Sequence, residues 1–560
     1  MERLKKIAKK NSGVAQGQTD VGATQWYNKD LIPAAQELRT WKLHTYVFFW
    51  WASSFNQAEW SIGSSLIAIG LTFRQSMISV CIGAILCSIS MVITARPGAK
   101  LHIGYPPLLR SSFGMWGSKI FVMLRGAVAI IWFGIQTYFA STLLAVTFRC
   151  IFGHQWTQIP NDLPESAGIT TQGMVAFFVC WLLQGPLILI HPSRIHWLWP
   201  LKGIIIPPAV IGFFIWSVTR AGADWGMFNT NLTVEAAHGS TLGWAVMSGI
   251  NSVMGTLSPM ILNQPDIARY ARKPYDAGWP QGVSMLVIKT MIFFMSISTA
   301  CSLQVLYGKA YWNMWDQLNA VLDANWNTTA RVGCFFVSLS MCLGTIGTNL
   351  SANSIPFGAD MTGILPNYIT IVRGQVVVWI LGFAIVPWKF LTSAAKFITF
   401  LGSYTVLMGS VLGPLWADYY ILRRGNIHVP SLFHPTVGST YWFLGGFNCR
   451  AILAWCVGTG LTVSGIVNGY GPGVVGPAAV NLYSLGWLLS VLSSGITYLV
   501  LSYLFPVPIT PSPTARLPFE YLANKEGFFD EDLPWDVTAS PSLTSEGSSE
   551  RISDKEDYDY

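Results

Sequence analysis

Charged residues are scarce in this chain. Asp, Glu, Lys and Arg make up 11% of its 560 positions, whereas a soluble domain carries about 25%. So few charges cannot clothe a globule in solvent-facing side chains, and a soluble protein is excluded. A strong basic excess is missing too: the formal net charge is +7. It sits mostly in short segments between apolar runs, which speaks to membrane orientation and not to a nucleic-acid partner. The nine cysteines show no CxxC or Cys/His spacing, so neither a zinc site nor a disulfide framework is expected. Most lie inside apolar runs (Cys81, Cys87, Cys180, Cys301, Cys334, Cys342, Cys456) and read as buried structural thiols. His44, His102, His191 and His196 stand apart from any carboxylate cluster or nucleophile, so neither enzymatic chemistry nor a cofactor is expected. No apolar signal core follows the basic opening MERLKKIAKKNSG before residue 45.

Long apolar runs are what the chain has instead. They cover about 46–71, 76–95, 120–147, 173–191, 198–219, 243–264, 282–305, 332–355, 375–391, 394–417, 453–471 and 482–504. Each approaches the roughly 20 apolar residues that cross a bilayer as a helix, which predicts an all-α membrane protein of about twelve transmembrane helices. Its 25 Trp and 20 Tyr suit interfacial belts. Three regions follow: a cytoplasmic N-terminal tail over 1–44, a membrane domain over 45–505, and a disordered C-terminal tail over 506–560. Arg96, Lys100, Arg110, Lys119, Arg194, Arg269, Arg272, Lys273, Arg423, Arg424 and Arg450 all fall on the N-terminal side of the membrane in this layout. The opposite loops hold mainly Arg149, Arg220, Lys309 and Arg331. The asymmetry places both termini in the cytoplasm, in a multi-pass protein of the plasma membrane. Sequons at Asn231 and Asn327 fall in outside loops. The tail is Pro/Ser-rich, then acidic, and exposes Lys525 and Lys555; it is a candidate contact for trafficking or ubiquitin machinery as well as a solubilising segment.

Polar residues inside the spans point to a site. Trp132 and Gln136 interrupt the third span, and Asn349 and Asn353 the eighth. Hydrocarbon offers an amide no partner, so these groups must find one. Spacing by four aims each pair in one direction from its helix. A flat aromatic with several amides suits a small planar ligand with donors and acceptors on its rim. In the first span Asn56, Gln57 and Glu59 break the apolar run, and an acid at that depth should face a cavity and act there. In the sixth, Gly255, Thr256, Leu257, Ser258 and Pro259 predict an unwound segment. Spans one and six correspond if spans 1–5 and 6–10 form two inverted repeats, and paired breaks of this kind mark midplane transport sites. Arg125 reads as snorkelling to the cytoplasmic interface, and Asp418 as an anchor at a loop end.

Several longer motifs resemble the nucleobase:cation symporter family, in its fungal uracil, allantoin and uridine permease branch. They include NKDLIP, SSLIAIGLTFRQ, GAKLHIGYPPLLRSSFG, WFGIQTY, NQPDIARYARK, GTNLSANSIPFGADMTGILPNY and DYYILRRG, in order over about residues 28–450. The resemblance implies a five-plus-five inverted repeat with discontinuous helices one and six (LeuT-like) and alternating access. It implies that Trp132 stacks on the ligand ring while Gln136 and Asn353 bond its edge. Fungal members are implied to be proton symporters, while a bacterial hydantoin carrier uses sodium. Three positions depart from the pattern: Glu59 precedes Trp60 where an acid usually follows, Leu257 replaces a common aromatic, and Gly347 removes one of two hydroxyls at the sodium position while Thr348 keeps the other. The first shift rotates a helical position by about 100°. The GxxSPxxxNQ wording around Gly255 is also similar to thiamine and nicotinamide-riboside carriers.

The expected function is therefore secondary active import of a small nitrogen heterocycle by proton symport, with sodium disfavoured. Trp132, Gln136, Asn353, Asn349, Leu257, Thr256 and Asn56 are the expected ligand contacts, and Glu59 and Thr348 the expected coupling residues. Helix-end N–H groups near Leu257 and Ser258 should favour an electronegative ligand edge. A vitamin carrier on the same fold and a nutrient sensor without net flux are the competing readings.

Overall fold

The computed structural model describes residues 26, 31–190, 195, 197–222, 239–365, 368–433, 435–471, 473 and 475–509. The sequon at Asn231, Arg194, His191, His196, most of the N-terminal tail and the acidic tail with Lys525 and Lys555 lie outside the described residues.

Among the described residues no β-strand forms. The first span is two helices, α1 (Leu43–Ser54) and α2 (Gln57–Ala68), each of about 18 Å. Then come α3 (Phe73–Leu101), α4 (Tyr105–Phe113), α5 (Met115–Phe152), α6 (Thr171–Ile188), α7 (Leu198–Arg220), α8 (Gly239–Leu262) and α9 (Gln264–Ala268). The second half continues with α10 (Trp279–Tyr307), α11 (Met314–Ala324), α12 (Thr328–Asn349), α13 (Ile355–Ile364), α14 (Ile371–Ala384) and α15 (Ala394–Trp416). The last elements are α16 (Cys449–Tyr470), α17 (Pro477–Ser484) and α18 (Gly486–Leu504). Ten helical stretches among the described residues are long and apolar enough to cross a membrane. The expected ninth span is shorter, at 14 residues in α14.

Packing sorts the helices into two groups. The second-span helix α3 packs along α8 and α10, and α2 packs on α10; separately, α5 packs along α6, α12 and α14. α7 bridges the groups through α12 and α10, while α15, α16 and α18 form a third cluster that leans on α8. Part of the expected N-terminal tail also belongs to the body. Trp26 and Leu31 are buried, and Arg110 donates to the Trp26 carbonyl at 2.9 Å.

The first-span break is where the sequence places it, and one amide makes it affordable. Asn56 is extended (φ −151°, ψ 161°). Its Nδ2 donates to Ser53 O at 2.8 Å, and its Oδ1 accepts from Glu59 N at 3.2 Å. A single side chain thus satisfies the loose ends of both half-helices.

The sixth span corrects the expectation. α8 runs unbroken through Gly255, Ser258 and Pro259, and the chain first turns at Asn263. Proline removes the donor that would reach the carbonyl four residues back, here Gly255 O. The Tyr404 hydroxyl donates to that carbonyl at 2.6 Å, so the helix need not unwind. The same repair recurs elsewhere. Pro97 frees Ile93 O, taken by the Tyr420 hydroxyl at 2.7 Å, and Pro207 frees Gly203 O, taken by Trp51 Nε1 at 2.9 Å. In the eighth span the irregularity falls elsewhere: a π-helical turn, Leu350–Ser354, separates α12 from α13. Such bulges are frequent at functional sites.

Candidate functional site

Trp132 and Gln136 sit one turn apart on α5, and the end of α12 meets them there. Asn349 Nδ2 donates to Phe133 O (3.0 Å), Thr137 Oγ1 (3.2 Å) and Gln184 Oε1 (3.0 Å). Its Oδ1 accepts from Asn353 Nδ2 at 2.9 Å. Asn349 is therefore spent on the protein: it ties α12 to α5 and α6 and aims Asn353. Asn353 lies in the π turn with its own carbonyl oxygen uncommitted. Gln136 Oε1 is buried without a partner among the described residues, as are Ser354 Oγ and Ser258 Oγ, while the Trp132 indole N–H faces the Tyr404 hydroxyl. A buried polar atom without a partner costs about 1–3 kcal/mol, so Gln136 Oε1 beside Trp132 needs a reason.

The indole is held by a wall of aromatic rings. Phe400 and Tyr404 of α15 meet it edge-on, with centroids at 5.6 and 5.9 Å and interplanar angles of 62° and 83°. Tyr404 is the residue that repairs α8 at Gly255, so the aromatic wall and the sixth span share one hydroxyl. Leu257 is buried in α8, and Thr256 Oγ1 donates back to Ser252 O at 3.4 Å. Because α8 is continuous, the backbone N–H groups of Leu257 and Ser258 lie inside the helix and are not free helix ends. That expectation fails for the same reason the break does. Asn56, the remaining expected contact, has its oxygen and an amide hydrogen engaged in capping.

Glu59 does not face an open cavity as expected. It is buried, and its Oε1 accepts from Lys289 Nζ of α10 at 2.5 Å, while Oε2 has no partner. Glu59 lies within electrostatic reach of Tyr404. Thr348 Oγ1 donates to Gly344 O at 3.0 Å and accepts from Lys202 Nζ of α7.

Arg125 is the clearest correction. It does not snorkel; it is buried, clamped by Asp360 of α13 on two nitrogens, by Asn263 Oδ1 at 2.6 Å and by Asp266 Oδ2 at 2.9 Å. Tyr105 lies under its guanidinium at 4.1 Å. Opposite charges close at hand remove the need to reach water. Asp418 anchors a loop end as expected, through Arg423 Nε at 2.8 Å and the Tyr498 hydroxyl at 3.0 Å. Cys456, expected to be buried, is exposed on α16 together with Cys449. A cavity of about 800 Å³ opens elsewhere, between α7 and the start of α12, beside Phe213, Trp216, Arg220 and Asn325; none of the expected site residues lines it.

Sequence reasoning left out Lys202, Lys289, Phe400, Tyr404 and Gln184. Both lysines carry a usable signal, a charge inside an apolar run. The aromatics carry none, since such residues are 14% of the chain.

The model of a family described as permease for cytosine/purines, uracil, thiamine and allantoin matches residues 33–490. The allantoin permease of Saccharomyces cerevisiae is 33% identical over 492 residues, covering 87% of this chain and 77% of that protein. The uracil permease of the same yeast is 32% identical over 489 residues, again 87% and 77%. Among solved structures, Mhp1, a nucleobase-cation-symport-1 family transporter in a closed conformation with bromovinylhydantoin bound, matches with a TM-score of 0.65 at 17% identity, covering 86% of this chain and 97% of that one. At that identity the likeness establishes a shared fold, the five-plus-five arrangement expected of the spans. This chain is a member of the family of permeases for cytosine/purines, uracil, thiamine and allantoin, a membrane transporter and not an enzyme.

Proposed function

We propose that this permease imports a small, flat nitrogen heterocycle of the uracil, allantoin or uridine kind together with a proton. The carrying observation is Gln136 Oε1, buried one turn from Trp132 without a partner among the described residues, with Asn353 tied to the same stretch of α5 through Asn349. A ligand with ring N–H and carbonyl groups satisfies such atoms, and the indole offers a stacking face. Glu59 is the proposed proton acceptor. Protonation removes its charge and loosens the bond to Lys289, so the proton favours one arrangement of the first-span break over the other. Only such a difference between states can couple proton to ligand. The Lys/Arg distribution supports both termini in the cytoplasm; an importer of an external heterocycle acts at the plasma membrane, and the C-terminal tail is then available to trafficking or ubiquitin machinery.

Radiolabelled uptake in a host without its own permeases tests the reading. A panel of uracil, allantoin, uridine, thiamine and nicotinamide riboside should compete unequally, with one of the first three strongest. Accumulation should rise as external pH falls, and Glu59→Gln should abolish that rise. Dominance by thiamine or nicotinamide riboside would replace the substrate class with a vitamin. Binding without accumulation would make the chain a sensor, and pH-independent accumulation would remove the proton.

A further inference from the structure

Gln184 lies fully buried in α6, and the two ends of its amide meet different neighbours. Nε2 donates to Cys180 O, one turn back on its own helix, at 3.4 Å and to Thr137 Oγ1 of α5 at 3.2 Å. Oε1 accepts from Asn349 Nδ2 of α12 at 3.0 Å. The oxygen and nitrogen of an amide are alike in outline, so the way it points is read from partners of known sign. Backbone carbonyls have such a sign, because they only accept.

Two carbonyls fix the direction of this network. Cys180 O calls for the nitrogen of Gln184, which turns Oε1 towards Asn349. Phe133 O of α5 calls for the nitrogen of Asn349, 3.0 Å away. Thr137 agrees with both. Its hydroxyl hydrogen goes to Phe133 O at 2.8 Å, so it has only lone pairs left for the amide nitrogens of Gln184 and Asn349, each at 3.2 Å. Asn349 is left with Oδ1 facing the π turn, and an amide oxygen can only accept. Asn353 meets it with Nδ2 at 2.9 Å and so turns its own oxygen away from Asn349. A direction set by the backbones of α5 and α6 thus passes through two buried amides to a third. That third amide, Asn353, is the proposed ligand contact. Gln136 Oε1 carries no such instruction, since no described residue holds it.

We propose that Gln184 is a positioning residue for specificity: through Asn349 it holds Asn353 with the carbonyl oxygen towards the ligand, so that the permease selects heterocycles bringing a ring N–H to that point. Ligands that bring a ring oxygen or an unprotonated nitrogen there are rejected, because two sets of lone pairs then face each other. This rests on reading Asn353 as a ligand contact, and it adds the sign of that contact and the residue that sets it. Gln184 and Asn349 are both fully buried and act only through Asn353.

The test is competition for radiolabelled uptake by the full-length protein in cells. The probes are uracil and hydantoin, each beside the isosteres in which one ring N–H is replaced by a ring oxygen. In wild type one isostere of each parent should compete about tenfold or more less well, the scale of one buried hydrogen bond. Gln184→Leu should narrow that ratio to about threefold or less, with the half-saturating concentration moving more than the maximal rate. Gln184→Glu keeps an acceptor towards Asn349 whether or not its carboxyl is protonated, and should keep the ratio. A merely structural glutamine would weaken parent and isostere alike and leave the ratio intact. An intact ratio in Gln184→Leu overturns the proposal, and so do equal ratios in the leucine and glutamate variants. If the leucine variant does not reach the membrane, Thr137→Val, which removes the hydroxyl that takes Gln184 Nε2, must narrow the ratio, and an unchanged ratio there overturns it. A wild type that takes every isostere as well as its parent sinks the proposal and leaves a heterocycle permease standing. A wild type that ignores uracil and hydantoin but takes thiamine removes the substrate class, and the proposal with it.

Discussion

The buried polar clusters around Arg125 and around Trp132 differ in how their atoms are used. Around Arg125 all three guanidinium nitrogens and both oxygens of Asp360 and of Asp266 are engaged. Around Trp132 the indole packs on Phe400 and Tyr404, yet Gln136 Oε1, and further along Ser258 Oγ and Ser354 Oγ, have no partner among the described residues. Both lie in segments where unpaired polarity is costly. The satisfied cluster behaves as a fastener between α5, α9 and α13. The unsatisfied one is the proposed ligand site. Substitutions should therefore act on stability in the first and on binding in the second.

The largest expected effect falls on the fastener. Arg125→Met leaves the buried carboxylate of Asp360 without its cation and should destabilise the protein by about 3–5 kcal/mol. Thermal unfolding in detergent reads this as a strongly lowered Tm, and uptake should be lost with it. Adding Asp360→Leu should recover part of the stability, because it removes the stranded charge. A wild-type Tm in Arg125→Met would erase the distinction between the clusters.

A smaller effect is expected where the repair of α8 joins the aromatic wall. Tyr404→Phe keeps the ring against Trp132 but strands Gly255 O, at a cost of about 1–3 kcal/mol. Tm should fall moderately, and affinity should fall as well, because α8 and the wall share that hydroxyl. If Tm fell and affinity did not, the wall would belong with the fastener.

In the proposed ligand cluster the effect should be read most clearly in binding. Asn353→Ala takes the donor from Asn349 Oδ1, an uncharged loss like that in Tyr404→Phe, so Tm should fall moderately and far less than in Arg125→Met. Ligand affinity should fall about tenfold, the worth of one buried hydrogen bond of roughly 1.4 kcal/mol. Competition binding reads it directly. Unchanged affinity would take Asn353 out of the site.

Much of the plan was legible along the chain. The apolar runs give the spans, and Asn56 marks the first break because an amide able to cap both half-helices sits inside the run. Trp132, Gln136 and Asn353 stand out by the same rule of polarity within apolar sequence. The rule applies equally to Lys202 in WPLKGIIIPP and to Lys289 in MLVIKTMIFF, but it names no partner for either. The sixth span misled for a related reason: Gly255 and Pro259 carry the local chemistry of a break, and the residue that cancels it is 149 positions away.

By itself, the sequence determined that this chain crosses a membrane as helices and roughly where, because transfer into hydrocarbon is decided by each segment's own side chains. Only the tertiary structure decided which buried polar atoms are paired, because their partners are remote: Glu59 meets Lys289 across 230 positions, and Lys202 meets Thr348 across 146. The same pairing fixes whether a proline breaks its helix, whether an arginine seeks water, and which atoms stay open to a ligand.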